Sequence, residues 1–169
     1  MHARKISLIA VAIASIIATQ PGMADSQAAS AGFIEGSSLN LLNRNYLFDR
    51  DYKHASGIHR DTREWAHGLR ATFTSGYTKG TIGVGADAHA VGVIKLDSDR
   101  HGGTAYTGIL PTGSDGKAQD NYAYAGGSVK ARISKTELKA GDLIPTNPVF
   151  GMGSSRMFFG TAQGVQLLS

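Results

Sequence analysis

The sequence predicts an all-β fold: an antiparallel transmembrane β-barrel of the outer-membrane kind, behind an export leader. Three observations carry this expectation. Beyond the leader, side-chain character alternates with period two rather than 3.6. The connections alternate as well, short turns taking turns with long polar stretches. Finally, no run of about 18 apolar residues follows the leader, so no helix is predicted to cross a membrane.

Composition narrows the field first. With 169 residues there is room for one ordinary domain. The chain holds 22 glycines, about twice the usual ~7% share, with no collagen period to account for them. It has no cysteine, which excludes disulfide frameworks, thiol catalysis and cysteine-based zinc sites. Residues 1–24 form the leader. Arg4 and Lys5 precede a 12-residue apolar run, then Pro21 and the small residues Gly22 and Ala24 that suit a cleavage site. The run is too short for a spanning helix, which needs roughly 20 residues. Cleavage after Ala24 leaves 145 of the 169 residues and lowers the formal charge from +4 to +2. An exported chain without a dense basic stripe offers nothing to a nucleic acid. The destination these features imply is the periplasm or the outer membrane of a Gram-negative bacterium.

The strands follow in order. Residues 38–48 are extended, though Leu41-Leu42 and Tyr46-Leu47-Phe48 break strict alternation. In residues 63–76, Trp65, Leu69, Ala71 and Phe73 take one parity, with His67 among them, and Gly68, Arg70, Thr72 and Thr74 take the other. In residues 81–89, Ile82, Val84, Ala86 and Ala88 oppose Gly83, Gly85, Asp87 and His89. The six residues 75–80 between these two segments read as a hairpin turn. Residues 128–136 set Val129, Ala131 and Ile133 against Ser128, Lys130, Arg132, Ser134 and Thr136; a turn near residues 134–137 leads to a further strand at 138–144. A last segment, 164–169, begins to alternate. The long stretches are 49–63, 96–127 and 145–164. Short turns on the periplasmic side and long loops outside are the pattern of an outer-membrane barrel. Tyr46, Phe48, Tyr77, Tyr122 and Tyr124 fall near strand ends, where an aromatic girdle is expected. Gly68, Gly83 and Gly85 lie on polar parities, where small residues keep a lumen open, admit an inward loop, or mark bulges.

The polar parity carries the candidate chemistry. Lys130 and Arg132 at i and i+2 place two cations on one wall beside Ser128 and Ser134; Arg70 and Arg44 take similar positions, and Asp87 faces them. Such a line attracts anions, and the arginine fork suits carboxylates. Other chemistries lack their context. Gly83-Val-Gly85-Ala-Asp-Ala88 mimics a dinucleotide fingerprint, but alternation continues where that motif needs a helix. His54 and His59 have no acidic partners at metal-binding spacing, and no nucleophile elbow is present. No cofactor, no metal and no enzymatic activity are expected.

Two stretches are more specific. Gly126-Gly-Ser-Val-Lys-Ala-Arg-Ile-Ser-Lys-Thr-Glu-Leu-Lys-Ala-Gly141 with Pro145-Thr-Asn-Pro-Val-Phe150, and Ser38-Leu-Asn-Leu-Leu-Asn-Arg-Asn-Tyr-Leu-Phe-Asp-Arg50, closely resemble the OprD family of substrate-specific outer-membrane porins. Ser154-Ser-Arg-Met-Phe-Phe159 and Thr161-Ala-Gln-Gly164 are similar to that family's third loop and the strand after it. Phe159 stands where the family often has proline, and Ala140 where a larger residue is common.

The resemblance implies a porin-sized barrel of roughly 16–18 strands, of which this chain holds only the first six or so. It implies a channel for facilitated diffusion of small carboxylate-bearing solutes such as amino acids, small peptides or aromatic acids. Arg44, Arg70, Lys130 and Arg132 would form a basic ladder. Residues 145–160 would fold inward as the constriction loop, with Ser154, Ser155 and Arg156 as contacts. Partners implied are outer-membrane lipid, the barrel-assembly machinery and, at full length, a homotrimer. The chain alone is expected not to conduct, because six strands leave open edges. The alternative from another class is a soluble secreted β-domain that binds a ligand or partner; it would hide its apolar parity in a core.

Overall fold

The computed structural model describes residues 26–51, 53, 62–98, 107–145 and 156–169. The leader, with its cleavage site, lies outside them. Six antiparallel strands form one sheet in sequence order: β1 Ser38–Arg50, β2 Thr62–Thr74, β3 Ile82–Ser98, β4 Asn121–Ile133, β5 Thr136–Leu143 and β6 Ala162–Leu168. A short 3-10 turn, Gln27–Ala29, precedes them. The sheet is an open meander with β1 and β6 at its edges.

Parity sorts the two faces. One face exposes Leu39, Leu41, Leu47, Leu69, Val84, Ile94, Val129, Val165 and Leu167, all more than half exposed. A soluble β-domain would bury these side chains, so that alternative does not fit; a lipid-facing barrel wall leaves them outward. The other face, inner because loops fold onto it, is polar near the short turns and apolar near the long connections. There Ala66, Val91 and Val93 pack under Ile109, Leu110, Met157 and Phe159.

That apolar inner patch corrects two expectations. Strand β3 runs to Ser98 rather than stopping at His89, and β4 starts at Asn121 rather than Ser128, so the connection between them is shorter than the 96–127 read from sequence. Where both faces are apolar, alternation disappears from the sequence although the strand continues. The aromatics also sort inward. Tyr46, Phe48 and Tyr124 pack against the inner cluster, Tyr122 meets Phe158 edge-on, and Tyr77 is buried in the β2–β3 turn. They cushion the loops instead of girdling the lipid face.

The β4–β5 connection is a two-residue turn whose first residue, Ser134, has φ 53°. Ser134 is therefore exposed at the tip of the turn and does not line the wall with Lys130 and Arg132. Thr136 likewise pairs with Ile133 on the outward face. On β5, Gly141 adopts φ 133°, and Asp142 beyond it reaches inward to His89.

Candidate functional site

The inner face carries two clusters. Near the short turns, β3 and β4 run in register, with Asp87 opposite Ser128 and Gly85 opposite Lys130. Lys130 Nζ donates to Asp87 Oδ1 at 2.6 Å and to the Ser75 carbonyl at 2.7 Å. Lys139 of β5 reaches Asp87 Oδ2 at 3.3 Å and Glu137 at 3.2 Å. Arg132 Nε donates to Gln27 Oε1 at 3.1 Å, and its guanidinium lies 4.0 Å above the Tyr77 ring. Lys130 and Arg132, the best-placed cations of the sequence reading, are thus buried and partnered. Ser128 is buried beside them.

Burial pushes the Tyr77 hydroxyl far above the ordinary tyrosine range; Glu137 adds to the shift and Arg132 opposes it. The fold favours the neutral phenol, so its contribution is complete below the ordinary value near 10 and fades as pH climbs toward the raised one. An alkaline titration followed at 295 nm should show one tyrosine fewer ionising in the folded protein than in the unfolded chain, and Tyr77→Phe should remove that difference. A full tyrosine count ionising while the sheet persists would contradict this.

Near the long connections the second cluster is built by a returning segment. Met157 and Phe159 are buried on the inner wall, 1% and 5% exposed. Gly68 makes room: a methyl built there would lie 2.7 Å from Met157 Cε and 3.0 Å from Val93 Cγ2. Phe159 meets His89 and Tyr124 edge-on at 5.3 and 5.8 Å between ring centroids, and Tyr124 donates its hydroxyl hydrogen to the Phe159 carbonyl at 2.8 Å. Arg70 stacks its guanidinium 4.5 Å above the Phe159 ring, Arg156 lies 5.6 Å over Phe48, and Arg44 donates to the Arg156 carbonyl. Glu64, fully buried, accepts a hydrogen bond from Thr107 and so moors the β3–β4 connection. At the outer rim Lys95 pairs with Asp120 at 2.6 Å and holds that exposed carboxyl below its usual range.

Arg44, Arg70 and Arg156 therefore converge, while Asp87, Ser128, Lys130 and Arg132 belong to a separate network. Ser154 and Ser155 lie outside the described residues, as do His54 and His59. Sequence reasoning missed Gln27, His89, Asp142 and the Glu64–Thr107 pair. The signal for Gln27 and Met157 was present but ambiguous: glycines on the inner parity, at Gly83 and Gly68, mark where something presses on the wall. Ala140 sits on the outward face opposite Val129 and Val165, away from the returning segment. Among the described residues no cluster of three metal-binding side chains occurs.

Comparison with known proteins agrees with this architecture. The family model described as outer membrane porin, OprD family, matches residues 31–169. The chain is 50% identical to Porin D of Pseudomonas aeruginosa over 175 residues, covering 100% of this chain and 38% of that protein. The crystal structure of Pseudomonas aeruginosa OprD superposes with a TM-score of 0.66 at 43% identity, over 86% of this chain and 31% of that one. The structure of Pseudomonas aeruginosa OpdK with vanillate gives 0.68 at 36% identity, over 80% and 33%. The chain thus spans about a third of the length of the relatives it matches and corresponds to part of their barrel. These relatives are channel proteins rather than enzymes, and this chain belongs to the OprD family of outer membrane porins.

Proposed function

We propose that this segment forms part of the wall and the constriction of a porin that passes small carboxylate-bearing solutes by facilitated diffusion. Amino acids, small peptides and aromatic acids all present the required group. The observation that carries the reading is the convergence of Arg44, Arg70 and Arg156 around the returning residues 156–160, with Phe48 and Phe159 beneath them. Guanidinium groups on aromatic platforms keep their forks flat and oriented, which suits a planar carboxylate. The solved OpdK complex holds vanillate, an aromatic carboxylate. Residues 145–160 act as the constriction loop, and residues 1–24 direct export. The outward apolar face is the surface that lipid and the barrel-assembly machinery meet.

The test is solute permeation through the full-length protein in proteoliposomes. Arg70→Ser should lower uptake of a small carboxylate relative to its amide by about tenfold, the equivalent of roughly 1.4 kcal/mol from one charge-assisted contact. Equal uptake of acid and amide by the unaltered protein would overturn the reading.

A further inference from the structure

The residues before β1 lie along the inner face at the short-turn end like a strap. Gln27 is only 4% exposed. Its backbone N–H donates to the Ser134 carbonyl at 2.8 Å. Its side-chain Nε2 donates to the carbonyls of Thr78 and Gly80 at 2.8 and 3.1 Å, while its Oε1 accepts from Arg132. One residue therefore ties the β2–β3 turn to the β4–β5 turn and caps a wall cation at the same time.

The wall is shaped to receive it. A methyl built on Gly83 would lie 2.5 Å from Gln27 Nε2, so a side chain at that position evicts the amide. Further along, Ser30 Oγ donates to the Tyr77 carbonyl at 2.6 Å, and the Gly76 N–H donates to the Phe33 carbonyl at 2.9 Å. Beneath this layer Arg132 and Lys130 keep 7% and 5% of their surface, with the Tyr77 ring against both.

We propose that Gln27 is a selectivity-determining residue of the pore: by holding the strap down it withdraws Arg132 and Lys130 from the permeation path. The proposal rests on the porin reading above. Its physical logic is release. A solute that has passed Arg44, Arg70 and Arg156 must also leave, and a second open pair of cations near the periplasmic mouth would retain it. Gln27 satisfies Arg132 with a neutral oxygen, which shields the charge without adding a carboxylate that would repel the same solute.

Two variants of the full-length protein test this, Gln27→Ala and the steric eviction Gly83→Leu. Strap position is read by thiol labelling of Ser30→Cys, since residues 1–169 contain no cysteine. Selectivity is read from the reversal potential in a potassium chloride gradient. Both variants should label faster, conduct more, and shift the reversal potential toward that of chloride. Adding Arg132→Gln to either should cancel most of the selectivity shift while leaving labelling fast. Unchanged labelling in both variants would show that Gln27 does not hold the strap. Fast labelling with unaltered selectivity, or a shift that survives Arg132→Gln, would overturn the shielding role. If the unaltered protein gives no conductance at all, it is the porin reading that fails.

Discussion

Asp87→Ala should be the most destabilising single truncation on the inner wall, lowering unfolding free energy by about 3–5 kcal/mol. Asp87 bridges two lysines, one of them almost wholly buried, and it is the anion that makes their proximity tolerable. Its removal leaves Lys130 with the Ser75 carbonyl and the face of the Tyr77 ring, and brings the charges of Lys130, Lys139 and Arg132 together with only Glu137 to balance them. Removing one member of a buried pair costs far more than the pair is worth, because the survivor stays charged and poorly solvated. Adding Lys130→Met should therefore recover a large part of the loss. Reversible urea unfolding of the full-length protein in lipid vesicles measures both. A loss under 1 kcal/mol for Asp87→Ala, or no recovery in the double variant, would show that the network contributes little.

Gly68→Leu should release the returning segment from the wall without dissolving the sheet. Residue 68 lies in the middle of β2 on the inner parity, and the space a side chain needs is filled by Met157 and Val93, with the Gly92 carbonyl close behind. Overpacking of this kind costs about 1–3 kcal/mol. The strands are held by continuous ladders, whereas residues 156–160 are held by the contacts of Met157, Phe159 and Arg156, so the strain falls on the segment. Channel conductance of the full-length protein should rise and carboxylate preference should fall, with the circular-dichroism β signal unchanged. The smaller change Gly68→Ala should be absorbed when Met157→Ala is made with it. Unaltered conductance in Gly68→Leu would mean that the segment does not narrow the pore.

The strands were legible wherever one face meets lipid and the other meets polar groups. Ile82 to Ala88 alternates cleanly, and the structure pairs that stretch with β4 in the sense the alternation implied. Legibility failed where the two faces become alike. From Val91 to Ile94 both parities lack polar side chains, one against lipid and one against Ile109 and Met157, so period two vanishes just where the strand carries its loops. The cations were legible as cations, and their parity placed them on the inner face. Their availability was not, since it depends on Gln27 and Tyr77, which reach Arg132 across 105 and 55 positions of sequence. A side chain's neighbours from distant turns leave no trace in local periodicity.

Strand β3 has 17 residues, against 13 in each of its neighbours β2 and β4. At about 3.3 Å per residue and a tilt near 40°, it rises roughly 43 Å along the barrel axis, well above an apolar band of about 25 Å. Its last stretch, Lys95 to Ser98, is thus a mast standing clear of the bilayer, and the backbone bond from Lys95 to Asp120 hangs the β3–β4 connection from it. The height at which the β3–β4 connection is carried is then set by protein rather than by the lipid, and it should not change when the membrane thins.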